Sequence, residues 1–128
     1  MQIVKERAEG AATTLNGKLT LDLAFYELGN IVWKKQRMQR SIKPEEAARM
    51  AGHFAELLDL MKIERTPFEE MGEIVELGAT AGLSFYDASY LHGAIGKGLT
   101  LVTEDRQLIH AAERLSVKAI KAEELTSI

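Results

Sequence analysis

An α/β fold, with a small parallel sheet between helices, is predicted by this sequence, and the last third of the chain carries most of the case. There Leu83-Ser-Phe85, Leu99-Thr-Leu-Val102 and Val117-Lys-Ala-Ile120 read as short strands, separated by helical stretches over Tyr86–Lys97 and Arg106–Leu115. Short strands that alternate with helices make βαβ units, whose crossovers impose parallel pairing and lay helices on the sheet faces. The third observation lies earlier: Leu19-Thr-Leu-Asp-Leu23 reads as another such strand, again followed by a helix.

Along the rest of the chain, residues 3–15 are compatible with a helix, and Asn16-Gly17 is a stop or turn signal. The helix after the Leu19–Leu23 strand has Phe25, Leu28, Ile31 and Val32 as its apolar face. Lys43-Pro44-Glu45-Glu46 opens the next, because proline's fixed φ and missing N–H suit the first helical position. Its apolar face runs through Ala47, Met50, Phe54, Leu57 and Leu58. Thr66-Pro67-Phe68-Glu69 reads as a capping box for a helix that ends near Gly78 or Gly82. Gly93-Ala-Ile-Gly96-Lys97-Gly98 lacks the spacing of a phosphate loop and reads as a helix C-cap. With no internal repeat, low-complexity stretch or linker, one domain over 1–128 is expected. A central parallel strand is normally a continuous apolar run. None precedes the first helix, so the sheet is expected to be unusually small or to lack its first strand in this sequence.

Composition narrows the classes. The 128 residues contain no cysteine, which excludes disulfides, thiol catalysis and zinc–thiolate sites and makes the cytoplasm the expected compartment. No apolar run approaches the roughly 18 residues of a membrane span. Lys5, Glu6, Arg7 and Glu9 stand where a signal peptide would be apolar. The net charge of −3 does not mark a general nucleic-acid binder. The charge is uneven, however. Lys34, Lys35, Arg37, Arg40 and Lys43 form a run without an acid, and Glu45 to Glu76 then holds nine acids against Arg49, Lys62 and Arg65. The basic run either complements a helix C-terminus or faces RNA, with Lys34 and Arg37 as the candidate contacts.

Sites in open parallel sheets form at the carboxyl ends of strands. Glu27, Asp87 and Asp105 each come after one of the strands read above. If those strands are adjacent and parallel, the three carboxylates converge on one edge. There they repel unless a cation lies among them, and Mg²⁺, which takes oxygen ligands and works with phosphates, is the economical one. The pattern therefore suggests metal-assisted phosphodiester hydrolysis. Each acid also has a structural reading. Ser84-Phe-Tyr-Asp87 fits a capping box, Asp105 a plain N-cap, and Glu27 a first-turn acid. Other chemistry finds no support: His53, His92 and His110 lack metal-ligand spacing and read as surface or boundary residues, and no Gly-x-Ser-x-Gly occurs. Trp33 is read as a packing residue, with base stacking the lesser alternative.

Three segments resemble a known family. Phe25-Tyr-Glu27-Leu-Gly-Asn30 is similar to a helix motif of PIN domains that carries a metal-binding glutamate and, three residues on, an asparagine. Phe85-Tyr-Asp87-Ala-Ser-Tyr90 resembles their Tyr-Asp-Ala motif, and Leu101-Val-Thr103-Glu-Asp105-Arg106 their Leu-Val-Thr-x-Asp segment. In order and spacing the chain resembles PIN domains of the VapC-toxin type over essentially its whole length. The resemblance implies a three-layer domain and an endoribonuclease dependent on Mg²⁺ or Mn²⁺. Glu27, Asp87 and Asp105 would be metal ligands, with Thr103 and Asn30 orienting them or the phosphate. It also implies a homodimer held inactive by a small antitoxin protein.

PIN domains open with a central strand ending in an aspartate, and Met1-Gln-Ile-Val-Lys-Glu6 resembles the segment just after that strand. Asp22, read as lying on the next strand, is no substitute. The first strand and first acidic ligand are therefore expected to be absent from this sequence. The rival reading is a non-catalytic PIN-like module that binds RNA or a partner through an incomplete site. The gap left by the strand would be closed by self-association or by direct pairing of Leu19–Leu23 with Leu99–Val102.

Overall fold

The structure is a computed structural model that describes residues 17–127. The helix read over 3–15 lies outside them. The described chain falls into two compact units, one up to Glu64 and one from Arg65 onward.

In the first unit β1 (Leu19–Leu21) leads into α1 (Leu23–Trp33), then α2 (Pro44–Asp59) and β2 (Lys62–Glu64). β1 and β2 pair in parallel, with Leu19 opposite Lys62 and Leu21 opposite Glu64. The strand is shorter than the sequence suggested. Asp22 is not in it but serves as the N-cap of α1, and its N–H extends the ladder to the Glu64 carbonyl at 2.9 Å. β2 was not legible, because it is an exposed strand whose Lys-Ile-Glu sequence lacks an apolar run.

Ala24, Leu28 and Val32 are the buried stripe of α1, spaced i, i+4, i+8. Phe25, at 65% exposure, and Ile31 lie off it, which corrects the face read from sequence by one helical position. α2 starts at Pro44 as expected, with the Lys43 N–H donating to Glu46 Oε1 at 3.3 Å. Leu57 is its buried residue, flanked by the half-buried Met50, Phe54 and Leu58. Between the two helices, Lys34–Met38 widens into a π-helical turn.

The second unit opens with a short 3₁₀ turn (Phe68–Glu70) and α3 (Met71–Ala81). The expected capping box does not form there: Pro67 is the N-cap of the 3₁₀ turn and gives no side-chain bond. α4 (Phe85–Lys97), β3 (Leu101–Val102), α5 (Arg106–Arg114) and β4 (Ala119–Ile120) come next, then a 3₁₀ segment (Ala122–Ser127). β3 and β4 pair in parallel, Leu101 opposite Ala119 and Val102 opposite Ile120. Leu83-Ser-Phe85 is no strand. Gly82, at φ +69°, caps α3, and Ser84 caps α4 almost at once. The turn can be this tight because Gly78 lacks a side chain: a Cβ there would stand 3.0 Å from the Leu83 carbonyl oxygen. Gly98, at φ +63°, closes α4 as the glycine pattern suggested.

The core of this unit is Leu91 and Ala94 from α4, Leu101 from β3, and Leu108, Ala111 and Ala112 from α5. Burying side chains of this kind is worth roughly 1.5–3 kcal/mol for each leucine. The architecture is thus largely helical α/β with small parallel sheets. β1 pairs with β2 and β3 with β4, so among the described residues the direct pairing of Leu19–Leu23 with Leu99–Val102 does not form. No described helix is long and apolar enough to cross a membrane.

Candidate acidic site

Asp105 is the best-defined of the candidate residues. β3 ends at Val102, and the Thr103 N–H makes one more ladder bond, to the Ile120 carbonyl at 3.0 Å. That bond anchors the backbone where the chain leaves the sheet. Thr103 is 4% exposed, and its hydroxyl accepts from the Asp105 N–H at 3.1 Å. Asp105 then caps α5: its Oδ1 accepts from the Gln107 N–H at 2.8 Å and the Leu108 N–H at 3.2 Å. Both bonds fall on one oxygen. Oδ2 has no protein partner among the described residues, so capping and cation binding can share this side chain.

Asp87 stands in the first turn of α4, not two residues beyond a strand as the sequence suggested. Its N–H donates to the Ser84 hydroxyl at 3.1 Å, which makes Ser84 the cap foreseen in the structural reading. The Gln107 side chain donates to the Gly82 carbonyl at 2.9 Å, linking the start of α5 to the turn that precedes α4. The positive ends of these two helices suit anionic groups, whether carboxylates or phosphates.

Glu27 belongs to the first unit, as do Asn30, Lys34 and Arg37. It is half-buried and lies a full turn into α1, so the first-turn reading does not hold. Asn30, three residues on, is exposed on the same helix. Lys34 and Arg37 are both exposed in the π-helical turn directly after α1. That position is compatible with the helix-terminus reading of the basic run and leaves both cations accessible.

Asp105 and Thr103 are therefore brought into direct contact, and Asp87 lies in the same unit. Glu27, Asp87 and Asp105 all offer hard oxygen donors, the set that Mg²⁺ and Mn²⁺ take.

One group escaped the sequence reading. Glu70, Glu73 and His92 place one ligand atom each within 4.8 Å of one another. The Glu-x-x-Glu spacing was visible, but nothing in the sequence joined it to a histidine 22 residues beyond Glu70.

No family model matches the chain. Two curated proteins of Pyrobaculum aerophilum do. It is 37% identical to the exonuclease VapC9 over 89 residues, which are 70% of this chain and 62% of that protein. It is 34% identical to the ribonuclease VapC3 over 103 residues, 80% of this chain and 77% of that one. The crystal structure of PAE2754 from the same organism superposes with a TM-score of 0.70 at 31% identity, covering 86% of this chain and 77% of that structure. The parallel strand pairs, Asp87 and Asp105 at helix starts, and two VapC relatives above 30% identity agree: the chain belongs to the VapC-type family of PIN-domain proteins.

Proposed function

We propose that this chain is a metal-dependent endoribonuclease, the toxin of a toxin–antitoxin pair, acting as one PIN-like domain over 1–128. The observation that carries this reading is Asp105, fixed by Thr103 and by two backbone N–H groups, with Oδ2 left without a partner among the described residues. Relatives named as a ribonuclease and an exonuclease supply the reaction class. Glu27, Asp87 and Asp105 would hold Mg²⁺ or Mn²⁺, which when bound supplies an activated water and positive charge for a phosphodiester. Thr103 and Asn30 would position the ligands or the phosphate. Lys34 and Arg37 would bind the RNA backbone. A small antitoxin, a homodimeric state and a cytoplasmic location belong to the same reading and rest on the family resemblance.

The test is RNA cleavage by the full chain with EDTA, Mg²⁺ or Mn²⁺, using a circular RNA alongside a linear one. Metal-dependent opening of the circle, lost in Asp87→Asn and Asp105→Asn, is the expected result. Trimming of linear RNA alone would assign an exonuclease instead, the activity named for one relative. Metal-independent cleavage, or a fully active Asp105→Asn, would overturn the site.

A further inference from the structure

The hairpin of α3 and α4 carries a second set of ligand-type side chains. Glu70 ends the 3₁₀ turn that leads into α3, and Glu73 lies in the first turn of α3. At i and i+3 they share one face. His92 reaches them from α4, its Nε2 2.7 Å from Glu70 Oε1 and 3.9 Å from Glu73 Oε2. From Asp87 to His92 is five residues along α4, about 7.5 Å of rise and roughly 140° of rotation. His92 therefore points to a different side of α4 from Asp87.

We propose that Glu70, Glu73 and His92 form a binding site for a transition-metal dication of the Zn²⁺ class, separate from the acidic site. The donor set decides the class: one imidazole nitrogen with carboxylate oxygens suits Zn²⁺ or Co²⁺, whereas Mg²⁺ is served by oxygens alone. The geometry is close to what such an ion needs. Tetrahedral bonds of about 2.0–2.1 Å hold ligand atoms about 3.3 Å apart. The 2.7 Å separation would lengthen and the 3.9 Å one shorten, each by about 0.6 Å. The two carboxylate oxygens, within 4.8 Å of each other, would settle to the same spacing by rotation of the glutamate side chains. Three protein ligands leave a fourth position for water.

A hydrogen-bonded ion pair accounts for Glu70 and His92 alone. It needs no second carboxylate, and Glu73 Oε2, 3.9 Å from the same nitrogen, completes a set of three ligand atoms within 4.8 Å of one another. The hairpin is also a rigid mount. Gly78 lets α3 and α4 approach, and Gly82 and Ser84 close the turn between them. A bound ion would pin the start of α3 to the helix whose first turn carries Asp87.

The full chain, stripped with EDTA, is titrated with Zn²⁺ by calorimetry and with Co²⁺ by visible absorption, in excess Mg²⁺ to occupy the acidic site. One Zn²⁺ per chain is expected, retained in the Asp87→Asn, Asp105→Asn double variant. Affinity should fall at least about tenfold in Glu73→Gln and in His92→Gln. Zn²⁺ should raise the melting temperature of the parent by about 5 °C or more, and that of His92→Gln much less. Glu73 is 70% exposed, so Glu73→Gln keeps the fold and decides the matter even if His92→Gln does not. Unchanged Zn²⁺ affinity in Glu73→Gln would reduce the group to a Glu70–His92 ion pair. No Zn²⁺ binding by the parent, or its loss in the double variant, would also overturn the proposal. None of these readouts depends on ribonuclease activity.

Discussion

Two buried threonines distinguish the two units. Thr20, in the middle of β1 and opposite Ile63, is 2% exposed, and its hydroxyl has no partner among the described residues. Thr103, one residue past β3, is as deeply buried, yet its hydroxyl accepts from the Asp105 N–H. The difference is one of backbone accounting. Inside a strand the N–H groups are committed to the ladder, whereas at a strand end the chain turns and offers a donor to a short side chain. A buried hydroxyl is inexpensive in the second place and costs about 1–3 kcal/mol in the first. The second unit therefore has a finished strand end that holds a carboxylate, and the first has a strand with a polar group unmet among the described residues.

The largest effect expected on that contrast is on activity. Asp105→Asn should lower metal-dependent RNA cleavage by about 10²–10³-fold, since the amide cannot supply the charge an ion requires. Its stability in urea should change by less than about 0.5 kcal/mol, because Asn caps a helix nearly as well as Asp. A large stability loss would show that capping, not chemistry, is the main role of Asp105.

Core truncation comes next. Leu91→Ala in the second unit and Leu28→Ala in the first should each cost about 3 kcal/mol in urea denaturation, both leucines being almost wholly buried. If Leu28→Ala costs under about 1 kcal/mol, the first unit is the more weakly packed of the two.

The threonines themselves give smaller effects of opposite sign. Thr103→Val should destabilise by about 1–2 kcal/mol, by stranding the Asp105 N–H. Thr20→Val should stabilise by about 1 kcal/mol, by removing a hydroxyl that has no partner among the described residues. If both substitutions destabilise, Thr20 has a partner beyond residues 17–127, and the contrast fails. The smallest effect belongs to the basic turn. Neutralising Lys34 and Arg37 together should leave the melting temperature unchanged and reduce the slope of log binding constant against log salt by about 1–2 on single-stranded RNA.

Much of the fold was legible because it is local. Pro44 at a helix start, Gly82 and Gly98 at helix ends, and Ser84 and Asp105 as caps each arise from the conformational limits of one residue type. Leu83-Ser-Phe85 misled because an apolar residue beside a cap resembles a short strand, and the length of chain left after Gly82 allowed only a turn. The α1 face was misread by one position, since Phe25 and Ile31 are as apolar as Leu28 and only packing selects among them.

The sequence by itself determined the α/β class and several helix ends, Pro44, Ser84, Gly82, Gly98 and Asp105 among them, because caps and turns act within a few residues. Tertiary structure alone decided that Lys62–Glu64 is a strand, since a polar segment becomes one only when a ladder is offered to it. It likewise decided that Thr103 holds Asp105 while Thr20 has no partner among the described residues, because that depends on where the backbone turns. Only the packing of α3 against α4 joined His92 to Glu70 and Glu73, since residues 22 apart share no local rule and meet through a turn that Gly78 and Gly82 permit.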